Sequence, residues 1–139
     1  MSAFLDSSVL VAALASDEIK HAECFALLLK GGNCIYSHAL LETFSTLTGG
    51  KLGVRVTPDL AVQMLSETVL PRVSVIELSS AEIIAALGIA QSRGVRGGCV
   101  YDYMHLVAAK KGGASVIYTL NMDDFQHLRR GDDPEVLLP

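Results

Sequence analysis

From Met104 to Ala109 every residue except His105 is apolar, and Met, Leu and Ala favour helix. A helix that is apolar nearly all round belongs in a protein interior. Asp102 stands at its start, directly after Gly98-Cys99-Val100-Tyr101. A carboxylate at the mouth of a buried helix needs the helix's own N-terminal amides, a basic side chain or a cation. An aspartate in the capping or first-turn position meets the first need. Several such acids in one place would require the last.

The rest of the chain alternates short apolar runs with helical patterns. Ala3-Phe4-Leu5 predicts a buried strand and Val9 to Leu14 a helix, with Asp6-Ser7-Ser8 between them. Ile19 to Lys30 predicts a second helix whose apolar stripe is Ala22, Phe25, Ala26 and Leu29. Cys34 to Tyr36 is a strand, His38 to Leu47 a helix, and Lys51 to Thr57 a basic connection. Pro58 opens a helix to about Thr68. Val73 to Leu78 alternates as a strand, and Ser79 with Glu82 forms a capping box for a helix to about Arg93. Gly94 to Gly98 is a loop, Gly112-Gly113 ends the opening helix, and Ala114 to Thr119 is a strand. A short helix then ends near Leu128, and Glu135 to Leu138 is a final edge strand. Strands alternating with helices imply a mainly parallel sheet in a three-layer α/β/α arrangement. With no linker, repeat or low-complexity segment, residues 1–139 are expected to form a single domain.

Half the residues are hydrophobic and the mean hydropathy is +0.40, which excludes a disordered chain. No apolar run is long enough to span a membrane, and the first residues lack the basic region of a signal peptide. Cys24, Cys34 and Cys99 are scattered and odd in number, so reduced thiols and a cytoplasmic location are expected. The net charge of −4 argues against gripping nucleic acid by bulk positive field. It does not exclude a nuclease whose acids are offset by metal.

Most of the 15 acids fall in loops or on helix faces expected to be solvated, Asp132 and Asp133 among them. Four positions differ. Asp6 follows the first strand, Glu42 interrupts an apolar helical run, Asp102 opens the buried helix, and Asp124, beside Asp123, follows the fourth strand. Three of these lie at carboxyl ends of strands or starts of helices, the edge where α/β folds bind ligands. Each alone also reads as a cap or surface acid. Two carboxylates about 4 Å apart repel by roughly 4 kcal/mol at an effective dielectric near 20. A crowd of four would hold protons or a cation. An oxygen-only set suits Mg²⁺ or Mn²⁺, which can activate water at a phosphodiester.

Four segments then carry a resemblance to the PIN-domain ribonucleases. They are Phe4-Leu5-Asp6-Ser7-Ser8-Val9-Leu10, Tyr36-Ser37 with Leu41-Glu42, Tyr101-Asp102-Tyr103-Met104-His105-Leu106-Val107-Ala108-Ala109, and Thr119-Leu120-Asn121-Met122-Asp123-Asp124-Phe125. The compact length resembles VapC-type toxins of type II toxin–antitoxin pairs. The resemblance implies a PIN-like fold and a ribonuclease using Mg²⁺ or Mn²⁺. Asp6 and Asp102 would be the metal ligands, with Glu42 completing the pocket directly or through water and Asp124 as the fourth acid. Many relatives have Asp at the place of Asn121; others have Asn there with an Asp three residues on, as here. Asn121 is therefore a candidate contact to metal water or substrate, and Ser8 matches a hydroxyl near the pocket. The resemblance also implies an RNA substrate, a cognate antitoxin protein and a homodimer. The apolar residues Val9, Leu10, Val11, Leu14, Phe25, Leu28 and Leu29 serve a partner or the core.

Several other readings compete. A PIN-like module could bind RNA or protein without cutting. A phosphatase of the haloacid-dehalogenase type would want Asp where this chain has Ser8, and no GxSxG elbow or P-loop occurs. Arg93 and Arg96, with Lys51 and Arg55, are candidate phosphate contacts. His21, His38 and His127 read as surface or helix-end residues, and His105 as a core or wall histidine.

Overall fold

The computed structural model describes residues 2–49 and 56–139, so Lys51 and Arg55 lie outside the described residues. Five strands, β1 (Ala3–Leu5), β2 (Asn33–Tyr36), β3 (Val73–Ile76), β4 (Val116–Tyr118) and β5 (Glu135–Leu137), form one sheet in the order β3-β2-β1-β4-β5. Every pairing is parallel. The expected edge strand is therefore real and fully parallel.

Alternation along the short strands builds the layers. Phe4 and Cys34 join one core with Tyr103, Met104, Leu106 and Phe125. Their neighbours Leu5 and Ile35 join the other with Val9, Leu10, Cys24, Leu28 and Ala39. A period of two sends successive side chains to opposite faces, so each central strand feeds both cores. Helices α1 (Ser7–Leu14), α2 (His21–Lys30), α3 (His38–Gly49) and α4 (Pro58–Met64) contribute to the second core or pack beside it. After α4 the chain continues through a wide helical turn, Leu65–Val69, and a tight one, Leu70–Arg72. Helices α5 (Ser80–Gly88), α7 (Val100–Lys111) and α8 (Met122–Leu128) cover the first core.

The expected helix to Arg93 is broken. It stops at Gly88, Ile89 leaves helical geometry at φ −107° and ψ 8°, and a short α6 (Ala90–Arg93) follows. Glycine is the weakest helix former here, and the break re-aims the chain into the loop before α7. In that loop Gly94 has φ +69° and Gly97 φ +62°, conformations that side chains with a Cβ resist.

The apolar stripe of α2, open in the sequence to the core or to a partner, faces outward. Ala22, Phe25, Ala26 and Leu29 are exposed, and Cys24 with Leu28 faces the core. The helix begins at His21, leaving Ile19 in a turn at 96% exposure. An apolar arc this wide shows that a helix packs, not which edge of the arc meets α1.

Asp133, expected on the surface, is a correction: it is buried. Arg93, a candidate phosphate contact in the sequence, donates through one guanidinium nitrogen to Asp133 Oδ2 at 2.7 Å and to the Leu128 carbonyl at 3.0 Å. Its guanidinium lies 5.4 Å from the centre of the Tyr103 ring. The pair staples α6 to the turn before β5, with Arg130's backbone N–H also donating to Asp133 at 2.9 Å. Removing one partner leaves a buried charge exposed to its own desolvation. Arg93→Ala is expected to lower unfolding stability by about 2–4 kcal/mol in urea titrations. Arg93→Lys is expected to recover less than half of that, because an ammonium cannot keep both hydrogen bonds and the guanidinium's contact with the Tyr103 ring.

Candidate active site

The chain runs from β1 to β2 and β3 on one side of the sheet, then returns to β4 and β5 on the other. The reversal leaves a crevice beyond the carboxyl ends of β1 and β4, the place where open parallel sheets bind ligands. Asp6 follows β1 and Thr119 follows β4.

Asp6 is buried and is the N-cap of α1, taking the Val9 N–H at 3.1 Å on Oδ1. Ser8 Oγ donates to the same oxygen at 2.5 Å, and Thr119 Oγ1 donates to Oδ2 at 2.6 Å. Ser8 Oγ in turn accepts from the Leu120 N–H at 3.0 Å, and Thr119 Oγ1 from the Asn121 N–H at 2.9 Å. One carboxylate thus ties α1 to the segment joining β4 and α8. Burial still pushes its pKa above the usual range, against the pull of these hydrogen bonds.

Asp102 is the third residue of α7, half-buried in the first turn, and Cys99 at the N-cap makes no side-chain cap. Among the described residues no N–H or hydroxyl donates to its carboxylate. Burial raises its pKa to about 6; the charges of Asp6, Asp124 and Glu42 add to that rise, and His105 opposes it. The other three expected acids therefore all act on Asp102.

Glu42 lies on α3, half-buried, with Oε1 2.6 Å from His105 Nε2 and 3.4 Å from His38 Nδ1. Burial pushes its pKa up, but the hydrogen bond and charge of His105, aided by His38, outweigh that and hold it below the ordinary glutamate range. His105 itself is 1% exposed and its Nδ1 has no partner. Asp124 is exposed on the first turn of α8. With Asp123, Gly94, Gly98, Cys99, His127 and Asp102 it borders a cleft of about 560 Å³. Asn121 faces elsewhere: it borders a second cleft with Ser7, Ser8, Glu18, Thr46 and Leu120. Arg96 is exposed and makes no ion pair among the described residues.

The acids converge without closing into a cage. Among the described residues no three His, Cys, Asp or Glu side chains are gathered closely enough to hold one ion. His105, expected as a core or wall histidine one turn from Asp102, is buried and in addition holds Glu42. The role of Thr119 was not anticipated: it stood in the sequence as the end of the fourth strand and the start of the fourth segment, and its hydroxyl reaches Asp6 only through the β1–β4 pairing.

The sequence profile described as the PIN domain matches residues 3–131. The chain belongs to the PIN-domain family. No curated protein matches this sequence. Solved structures do match in fold. The PIN domain resembles VapBC2 from Rickettsia felis, solved bound to a promoter DNA fragment, with TM-score 0.67 and 17% identity over 99% of this chain and 98% of that one. It resembles VapC20 of Mycobacterium tuberculosis, a toxin that cleaves the sarcin–ricin loop, with TM-score 0.68 and 18% identity over 88% and 92% of the two chains. PAE2754 from Pyrobaculum aerophilum is similar at TM-score 0.65 and 20% identity, over 98% and 83%. At such identities the likeness is one of fold.

The raised pKa of Asp102 has a stability consequence. A carboxyl that is harder to ionise when folded binds more protons in the native state, so stability falls as pH rises from about 4 to about 6. In metal-free buffer at pH 7, Asp102→Asn is expected to unfold at higher temperature than the parent, a gain of roughly 1–2 kcal/mol after solvent screening of a half-exposed group. Thermal melts across pH 4–8 should show the gain shrinking toward pH 4, where the parent's carboxyl is neutral too.

Proposed function

We propose that this PIN domain is a metal-dependent endoribonuclease, the toxin of a type II toxin–antitoxin pair. The observation that carries the reading is Asp102: a half-buried carboxylate with no hydrogen-bond donor among the described residues, its pKa pushed to about 6 by burial with three other acids adding to the rise. Sites that keep such unbalanced charge keep it for a cation or a reaction.

The residues fit a hard divalent ion in kind. The donors are all oxygen, as Mg²⁺ or Mn²⁺ prefers. Asp6 Oδ2 accepts a single hydrogen bond, so a lone pair remains, and Asp102 is free. Glu42 is committed to His105 and His38. Asp6 and Asp102 are therefore the residues that would hold the ion. When bound, the ion would orient water and neutralise charge on the phosphoryl oxygens.

The remaining work falls to this chain's own side chains. Ser8, Thr119 and the Val9 amide hold Asp6 in one orientation. His105, immobile in the core, positions Glu42 at the edge of the crevice. Glu42 and Asp124 complete the acidic wall, while Asn121 faces the separate cleft beside Ser8. Asp123 is an exposed neighbour.

Restraint by an antitoxin fits this assignment: matched structures are described as VapBC complexes or a toxin–antitoxin complex. The uncovered apolar stripe of α2 supports a protein partner, whether antitoxin or a second copy in a homodimer. No described helix is long and apolar enough to cross a membrane.

The open arrangement of the acids also suits a PIN module that binds RNA or protein without cutting, and metal titration separates the two. For a nuclease, Mg²⁺ or Mn²⁺ raises the melting temperature, more at pH 7.5 than at pH 5.5, because the proton on Asp102 competes with the ion. Asp6→Asn and Asp102→Asn each abolish that rise and reduce RNA cleavage by at least about a hundredfold while the fold persists. Cleavage unchanged in either variant sinks the assignment.

A further inference from the structure

A continuous ladder of rings leads from the interior to the surface beside the acids. Phe4 meets His105 edge to face at 5.8 Å between ring centres, and His105 meets Tyr36 edge to face at 5.7 Å. Tyr36 then stacks on His38 at 6.1 Å, and His38 on Tyr101 at 5.5 Å with ring planes only 10° apart. The first rung is fully buried, whereas Tyr101 is 54% exposed. Tyr101 is also the residue directly before Asp102.

His38, Tyr101, Ser7, Leu41, Glu42, Ser45 and Thr46 border a cleft of about 460 Å³, within the roughly 300–1,000 Å³ of small-molecule sites. Leu41 is 66% exposed there, and among the described residues the Ser7 and Ser45 hydroxyls make no hydrogen bond. The cleft pairs flat apolar surface with unused polar groups. No lysine or arginine borders it, nor either of the other two clefts around the acids, among the described residues.

We propose that the Tyr36–His38–Tyr101 stack and its cleft form a subsite for one unpaired nucleobase of the RNA, with Tyr101 as the stacking platform. This rests on the ribonuclease reading above. Away from the ion that Asp6 and Asp102 would hold, phosphate meets repulsion along this acidic edge, and no lysine or arginine among the described residues borders the clefts. A neutral base meets no such repulsion, and any base can stack, so affinity here comes from the ring face. The ladder holds Tyr101 from behind, so little side-chain freedom is lost on binding. The adjacency of Tyr101 to Asp102, and of Glu42 to the cleft, places the bound nucleoside next to the phosphate that is cut.

The test uses the full chain carrying Asp102→Asn, which binds without turnover, and fluorescence anisotropy with a labelled single-stranded oligoribonucleotide. Adding Tyr101→Ala should weaken binding roughly 5- to 100-fold, the range of one base stack, while Tyr101→Phe stays within about twofold. An abasic nucleotide walked along the strand should weaken binding at one register. That penalty should vanish when Tyr101 is alanine. In otherwise native protein, Tyr101→Ala should raise KM more than it lowers kcat. If the strand binds and is cut but Tyr101→Ala changes neither measurement, the subsite is wrong and the nuclease reading stands. If Tyr101→Ala loses only a protein partner, the ladder is a protein contact and the subsite is again wrong. If the chain neither binds nor cuts RNA, both readings fall together.

Discussion

The buried carboxylate of Asp6 is the interaction on which this site depends. It ends the first strand, caps the first helix through Val9, and takes hydroxyl hydrogen bonds from Ser8 and Thr119. Those two residues are far apart in sequence and become neighbours only because β1 pairs with β4. A charge this deeply buried costs several kcal/mol unless hydrogen-bonded, and three donors offset much of that. The lone pair they leave on Oδ2 points to the second use of the residue. Structure and chemistry share one side chain, so the acid cannot be removed from the site without loosening the crevice itself.

Around that anchor the two other inward acids are treated differently. Glu42 is matched: His105 and His38 hold its charge in place. Asp102 is unmatched, carried on a buried helix whose first turn offers it no cap. The helix needs its apolar faces for the core, as Tyr103, Met104, Leu106, Ala108 and Ala109 show. The same packing that makes α7 rigid therefore holds Asp102 where it repels Asp6, Glu42 and Asp124. His105 joins both halves, bracing Glu42 and extending the ring ladder toward Tyr101.

Much of the fold was legible. Short apolar runs feeding helical patterns predicted all five strands within a few residues, and Asp6, Glu42, Asp102 and Asp124 stood out because each interrupted a local rule. What stayed open was facing. The sequence showed an apolar stripe of Ala22, Phe25, Ala26 and Leu29 on α2 without saying what it meets, and packing against α1 selected Cys24 and Leu28 instead. Arg93 looked like a free cation because its partner Asp133 lies 40 residues away. Tyr101 looked like part of a motif, since its stacking partner His38 sits on another helix.

The sequence by itself determined which residues are chemically out of place, because period and burial are local properties that a run of residues displays directly. It also determined the alternation of strand and helix, and with it a layered parallel sheet. Only the tertiary structure decided who compensates whom: Thr119 for Asp6, His105 for Glu42, Asp133 for Arg93, and no hydrogen-bond donor among the described residues for Asp102. Compensation is a matter of distances of about 3 Å between segments remote in sequence. Such distances are set by strand order and helix packing, which no local pattern records.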